Sequence, residues 1–93
     1  MVYFVNQKYM LKISIKDNSK ILEIQNFSIL DSIIIEKIKI KNIRNIKIGG
    51  TSIFSQSYLK IIEYDNKETK MVLSDDEIKE ICNSTVQRLN QMV

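Results

Sequence analysis

Few side chains in this sequence are of the types that carry out covalent or acid–base chemistry. The chain has no histidine and one cysteine, Cys82, which excludes a histidine-activated nucleophile and a two-cysteine redox or metal pair within one chain. A zinc site would have to use carboxylates and this single thiol. We therefore expect a protein that is not an enzyme, with no catalytic residues, no metal and no cofactor.

Cys82 falls on the apolar stripe of a predicted helix, where a buried thiol behaves as a small hydrophobic side chain with a raised pKa. The pattern predicts a buried, unreactive thiol.

Two short motifs resemble ligand sites but lack the required spacing. Asp75, Asp76 and Glu77 are adjacent, whereas a calcium loop needs ligands at alternating positions and a central glycine. The run Gly49-Gly50-Thr51-Ser52 lacks the lysine that follows the glycine of a phosphate-binding P-loop. We interpret the first motif as a helix start and the second as a tight turn in which glycine supplies a positive φ.

A basic surface is the one feature that favours a ligand. Lys37, Lys39 and Lys41 alternate along a predicted strand and share a face, and Arg44 and Lys47 follow closely. Such a row can contact the phosphates of nucleic acid or acidic lipid headgroups, although strand lysines also protect sheet edges from pairing. No aromatic residue interleaves with the row, which argues against a single-stranded nucleic-acid reader.

Length and composition indicate one globular domain, residues 1–93. The chain is 44% hydrophobic and 27% charged, and it contains 18 isoleucines but no alanine, proline or tryptophan. The abundance of Ile, Lys and Asn also fits coding by an AT-rich genome. From Met1 to Ile62 there are ten Lys/Arg against four Asp/Glu, and from Glu63 to Val93 four against seven, so the front is +6 and the rear −3.

The N-terminus lacks a signal-peptide pattern, and no run approaches the roughly 20 apolar residues of a membrane span. A single cysteine fits a reducing compartment, so we expect a cytoplasmic protein.

Period-two alternation predicts strands over about residues 9–73. Tyr9 to Lys16 and Ile21 to Gln25 form a first hairpin around a turn at Asp17 to Ser19, and Val2 to Val5 is a further short strand. A strand follows from Ile33 to Lys41.

After this strand we expect a kink over Asn42 to Asn45 and a strand through Ile46 and Ile48 that ends at Gly49-Gly50. A polar loop from Thr51 to Ser57 leads to a second hairpin from Tyr58 to Leu73, with its turn at Asp65 to Lys67.

A helix over about residues 75–92 closes the chain. Ser74 and Glu77 have the spacing of a capping box, in which each side chain bonds the other residue's backbone N–H. Apolar residues then recur every three or four positions, so one stripe of the helix should pack on the sheet.

The passage Ile40-Lys41-Asn42-Ile43-Arg44-Asn45-Ile46-Lys47-Ile48, followed by a hairpin and a helix, resembles that of a bacterial pleckstrin-homology-like domain. The resemblance covers about Lys12 to Leu89. It implies antiparallel sheets forming a partly open barrel or sandwich closed by the helix, and a binding role. Lipid-binding members use basic residues near their first hairpin, where this chain has Lys12, Lys16 and Lys20 but not the family's fuller motif with its arginine.

Two functions remain open at this point. The first is a binding or assembly module that acts through protein–protein interaction or self-association, such as a small phage- or virus-encoded inhibitor of a host protein. The second is an anion binder for nucleic acid or acidic membrane surfaces, using the five basic residues from Lys37 to Lys47.

Overall fold

The computed structural model describes residues 7–28, 32–50 and 57–92. These ranges form β1 (Tyr9–Lys16), β2 (Ile21–Ser28), β3 (Ser32–Lys39), a 3-10 turn (Ile40–Asn42), β4 (Ile43–Gly50), β5 (Ser57–Glu63), β6 (Glu68–Leu73) and α1 (Asp76–Met92). The predicted mostly-β fold with one C-terminal helix and both predicted hairpins are confirmed. The expected strand at Val2 to Val5 and the loop residues 51–56 lie outside the described ranges.

The strands form one mixed sheet of two antiparallel halves. The described strand order is β3-β2-β1-β6-β5-β4, so each half is a three-stranded meander. The halves meet where β1 and β6 run parallel at a single pair, Tyr9 opposite Val72, and the Val72 N–H donates to the Lys8 carbonyl over 2.8 Å. The sheet does not close into a barrel, and β3 and β4 are its two edges among the described residues.

One apolar core holds the two halves and the helix together. Because side chains alternate along a strand, each meander has an inner face and an outer face. Apolar residues on the inner faces of all six strands belong to one buried cluster with Cys82, Val86 and Leu89 of α1. The sheet must therefore curve around this core. Burying such aliphatic side chains contributes about 1.5–3 kcal/mol each and is the main stabilising term.

The helix packs on β1, β4 and β6, as its apolar stripe predicts. Its N-cap is Asp75, one residue beyond the predicted Ser74. The Asp75 carboxylate Oδ1 accepts the Glu77 N–H over 2.8 Å, and the Asp75 carbonyl accepts the Lys79 N–H over 2.9 Å. The predicted capping box is corrected accordingly, because an aspartate side chain caps as well as serine and the helix begins only at Asp76.

The strand predicted through Lys41 ends earlier, at Lys39. A 3-10 turn begins at Ile40, whose side chain is buried, and the Ile40 N–H donates to the Lys20 carbonyl over 3.0 Å. The turn therefore keeps an isoleucine in the core while the chain changes direction. The predicted kink continues as a register shift of β4 between Ile43 and Asn45.

The two glycines do not form the predicted positive-φ turn. Gly49 and Gly50 belong to β4, opposite Tyr58 and Ser57 of β5, and neither has a positive φ. Glycine at position 49 leaves room for the Tyr58 ring, since a Cβ there would lie 2.9 Å from Cζ of that ring. Left-handed backbone occurs instead at Lys20 and Asn66, in the two hairpin turns, and at Ser32, where β3 begins.

Candidate functional site

The five predicted basic residues are all exposed, but they do not form one row. Lys37 and Lys39 share a face of β3, whereas Lys41 lies in the 3-10 turn. Arg44 and Lys47 belong to β4, which is at the opposite end of the strand order from β3. The prediction that Lys41 continues the strand face of Lys37 and Lys39 is wrong, because β3 ends before it.

The sheet brings other lysines beside Lys37 and Lys39. On the side of the β1–β3 meander that faces away from the core, here called the outer face, successive cross-strand rows are Lys12-Gln25-Ile35, Ser14-Glu23-Lys37 and Lys16-Ile21-Lys39. Directly opposite residues share a face and interact. This end of the outer face therefore carries four lysines, with Glu23 as the acidic residue among them.

The other end of the outer face is apolar. Tyr9, Phe27 and Ile33 lie directly opposite one another on the three strands, and Ile35 follows on the edge strand. Phe27 is 42% exposed, Ile33 57% and Ile35 58%. Leu11, the extra residue in a bulge of β1, is 45% exposed beside them. We call Leu11, Phe27, Ile33 and Ile35 the outer apolar patch.

Such a patch is informative because single exposed apolar side chains are common but contiguous ones mark interaction sites. Sequence reasoning missed it. The signal was the run Ile33-Ile34-Ile35, in which alternation requires that an isoleucine lie on each face of the strand.

The outer edge of β3 also has main-chain groups that no described strand pairs with. The Ile40 N–H bonds the Lys20 carbonyl, and the register places Ile38 opposite Leu22 and Glu36 opposite Ile24. In an antiparallel ladder, bonded pairs alternate with non-bonded pairs, so even-numbered residues of β3 bond β2. Ile33, Ile35, Lys37 and Lys39 therefore direct their N–H and C=O groups away from β2. No described strand pairs with this edge.

A cleft of about 1010 Å³ opens between β3 and β6. Some of its charged side chains are paired within the chain: Lys8 forms an ion pair with Glu36, Glu68 lies 3.7 Å from Lys60, and Lys70 lies 4.2 Å from the ring centre of Tyr58. Other lining side chains form no ion pair with a described residue, namely Lys37, Lys39, Lys67 and Glu63. The cleft walls thus carry charges of both signs, and the edge of β3 with Lys37 and Lys39 borders the cleft.

Cys82 is fully buried, and desolvation raises the pKa of its thiol to about 11, as expected for a core cysteine. Asn26 on the inner face of β2 is also fully buried, and its side-chain amide has no hydrogen-bond partner among the described residues. Within the described ranges, no group of three or more His, Cys, Asp or Glu residues is arranged to hold a metal ion.

No protein-family model, curated protein or solved structure matches this chain. The pleckstrin-homology-like resemblance therefore stays a prediction. In the described part of the chain, no helix has both the length and the apolar character needed to cross a membrane.

Proposed function

We propose that this chain is a non-catalytic binding or assembly module that acts through protein–protein interaction on the outer face of β1, β2 and β3. The observation that supports this is the outer apolar patch, in which Ile33 and Ile35 are more than half exposed on an edge strand. A small phage- or virus-encoded inhibitor of a host protein would have this form, and the buried single cysteine fits a cytoplasmic setting.

Desolvation of the outer apolar patch is the main source of binding free energy in this proposal. Completing the burial of each half-exposed isoleucine or phenylalanine contributes on the order of 1 kcal/mol. Three such side chains beside one another provide a useful part of the affinity of a specific interface, whereas the basic end adds orientation and a faster encounter with an acidic partner.

Anion binding is the alternative, and one observation favours it: Lys12 and Lys16 join Lys37 and Lys39 on the outer face. Replacing Lys37, Lys39 and Lys41 together with Gln separates the two functions. An anion binder shows affinity for nucleic acid or acidic vesicles that falls with added salt and is lost in the triple variant. The protein-binding module keeps its main partner, although association becomes slower.

Quantitative affinity capture from a lysate of the source organism tests the proposed function. The immobilised baits are the wild-type chain, the double variant Ile33→Thr/Ile35→Thr, and the matched control Ile81→Thr. Ile81 is exposed on α1, so its substitution removes the apolar surface of one isoleucine elsewhere on the chain. Threonine is well accepted in a strand, which keeps β3 intact.

The proposal predicts a protein that the wild type and Ile81→Thr retain equally, in nuclease-treated lysate, and that the double variant loses. Equal retention by all three baits contradicts it, as does capture that depends on nucleic acid. Circular dichroism and the unfolding midpoint of each bait establish that any loss is not a loss of folding.

A further inference from the structure

We propose that the partner contributes an extended strand that adds to the outer edge of β3, with apolar residues opposite Ile33 and Ile35 and acidic residues opposite Lys37 and Lys39. This inference rests on the proposed protein-binding function and names the chemistry of the segment that is bound. It follows from main-chain geometry, side-chain order and charge at one edge.

The main-chain geometry permits strand addition. The four residues whose N–H and C=O groups point away from β2 are the same four whose side chains lie on the outer face. A strand added there satisfies the main-chain groups of Ile33, Ile35, Lys37 and Lys39, and places every second partner side chain beside theirs. The side chains supply the specificity, because backbone hydrogen bonds do not depend on sequence.

Charge selects the partner residues. Lys37 already has Glu23 opposite it on β2, but Lys39 has Ile21 and then Lys16 across the sheet. Neither lysine forms an ion pair with another described residue. An acidic residue opposite Lys39 therefore adds an attraction that the chain does not supply itself, and one opposite Lys37 adds less.

Pairing of β3 with the β3 of a second copy does not meet this requirement. If β3 paired antiparallel with itself about a two-fold axis, its outer-face residues would pair with one another. These residues are Ile33, Ile35, Lys37 and Lys39, none of them acidic. In every such register, a lysine within the paired region faces an isoleucine or another lysine.

A bilayer surface does not suit the outer edge of β3 either. Acidic headgroups suit the lysines and the acyl region suits the isoleucines, but hydrocarbon leaves the free N–H and C=O groups of Ile33 and Ile35 unsatisfied. An unsatisfied buried backbone group is costly, so a strand is the better cover for this edge.

Blocked seven-residue peptides provide the test. The acidic peptide has the order Glu-Thr-Glu-Thr-Val-Thr-Val, which in antiparallel pairing sets glutamates opposite Lys39 and Lys37 and valines opposite Ile35 and Ile33. A control peptide has lysine in place of both glutamates, and the reversed order of each peptide tests parallel pairing. Binding to the full chain is followed by amide chemical shifts and by hydrogen exchange.

The acidic peptide should shift and protect the amides of Ile33, Ile35, Lys37 and Lys39, and should bind about tenfold more tightly than the lysine peptide. Lys39→Gln should lose more of this preference than Lys37→Gln, and the double variant Lys37→Glu/Lys39→Glu should reverse it. Absence of shifts along β3, or equal binding of both peptides, overturns the inference. So does binding of acidic vesicles with shifts at these residues but no response to either peptide.

The two proposals fail differently. If capture depends on Ile33 and Ile35 but no peptide binds β3, the partner covers the outer face with a folded surface, and strand addition is wrong while the protein-binding function stands. If the acidic peptide binds β3 but captured proteins are indifferent to the isoleucines, the proposed function fails.

Discussion

The ring of Tyr58 lies against the backbone of Gly49 on the neighbouring strand, so that a Cβ at position 49 would come within 2.9 Å of the ring's Cζ and hydroxyl oxygen. Lys70 covers the same ring at 4.2 Å from its centre. The glycine therefore acts through the space it leaves for an aromatic side chain.

Gly49→Ala should lower the free energy of unfolding by about 1 kcal/mol, because the new methyl group displaces the Tyr58 ring. In a Tyr58→Ala background the same substitution should instead stabilise by about 0.5 kcal/mol, since alanine loses less backbone entropy on folding than glycine. Urea unfolding of the four chains in this double-mutant cycle measures the coupling. An identical effect in both backgrounds would show that the ring does not constrain position 49.

The cap of α1 gives a second prediction. Asp75→Ala should destabilise the domain by about 1 kcal/mol, because the Glu77 N–H loses its acceptor. Asp75→Asn keeps an acceptor oxygen and should cost much less. Ser74→Ala, at the originally predicted cap, should remain within about 0.5 kcal/mol of the wild type. The assignment fails if Ser74→Ala shifts the urea midpoint more than Asp75→Ala does.

Cys82 links stability to alkaline pH. Burial raises the pKa of the thiol to about 11 from its ordinary value of 9.0, so between these values the folded chain keeps a proton that the unfolded chain releases. The protonated thiol therefore contributes to the free energy of unfolding fully below about pH 9. This contribution is lost as pH rises toward 11, and the loss is about 3 kcal/mol at most.

Lysines and tyrosines titrate in the same range, so the comparison requires Cys82→Ala, which lacks the thiol but keeps every other group. The stability of the wild type relative to this variant should fall from pH 9 to pH 11. Thiol reagents at pH 8 should label the native wild type only as it unfolds. A pH-independent difference together with rapid native labelling would mean that the thiol is accessible.

The buried side chain of Asn26 should make the folded chain less stable than an apolar side chain at this position would. Asn26→Val removes a buried side-chain amide whose nitrogen and oxygen have no partner among the described residues, and we expect a gain of about 1 kcal/mol. Asn45→Val, at an exposed position of β4, is the matched control and should change stability little. A clear loss of stability in Asn26→Val alone would indicate that the amide is hydrogen-bonded in solution.

Much of the fold could be read from local pattern. The alternation of Ile13 and Ile15 with lysines and serine places β1, although a bulge at Leu11 breaks it, and the spacing of Cys82, Val86 and Leu89 places the buried stripe of α1. These are near-neighbour relationships, so sequence spacing records them directly. The observed N-cap differs from the predicted one by one residue, because Ser74 and Asp75 are both of types that favour the N-cap position.

The candidate site depends on pairing between strands that are distant in sequence, so it could not be predicted from local sequence patterns. Nothing near Phe27 indicates that Ile33 and Tyr9 will flank it, because register between strands sets that row. The prediction of a single basic row was wrong for a related reason. Lys41 follows Lys39 with the correct spacing, but burial of Ile40 bends the chain between them.

In the proposed binding mode, the outer edge of β3 is free in the isolated chain and covered in the bound chain. Residue-resolved amide hydrogen exchange along β3 measures both states. In the free chain, Ile34, Glu36 and Ile38 should be protected by their bonds to β2, whereas Ile33, Ile35, Lys37 and Lys39 should exchange at least about tenfold faster.

Addition of the captured partner, or of the acidic peptide at saturating concentration, should remove this alternation by slowing the four outward amides about tenfold or more. Uniform protection of β3 in the free chain would contradict this binding mode, because the edge would already be covered. Outward amides that remain fast in the complex would contradict it as well.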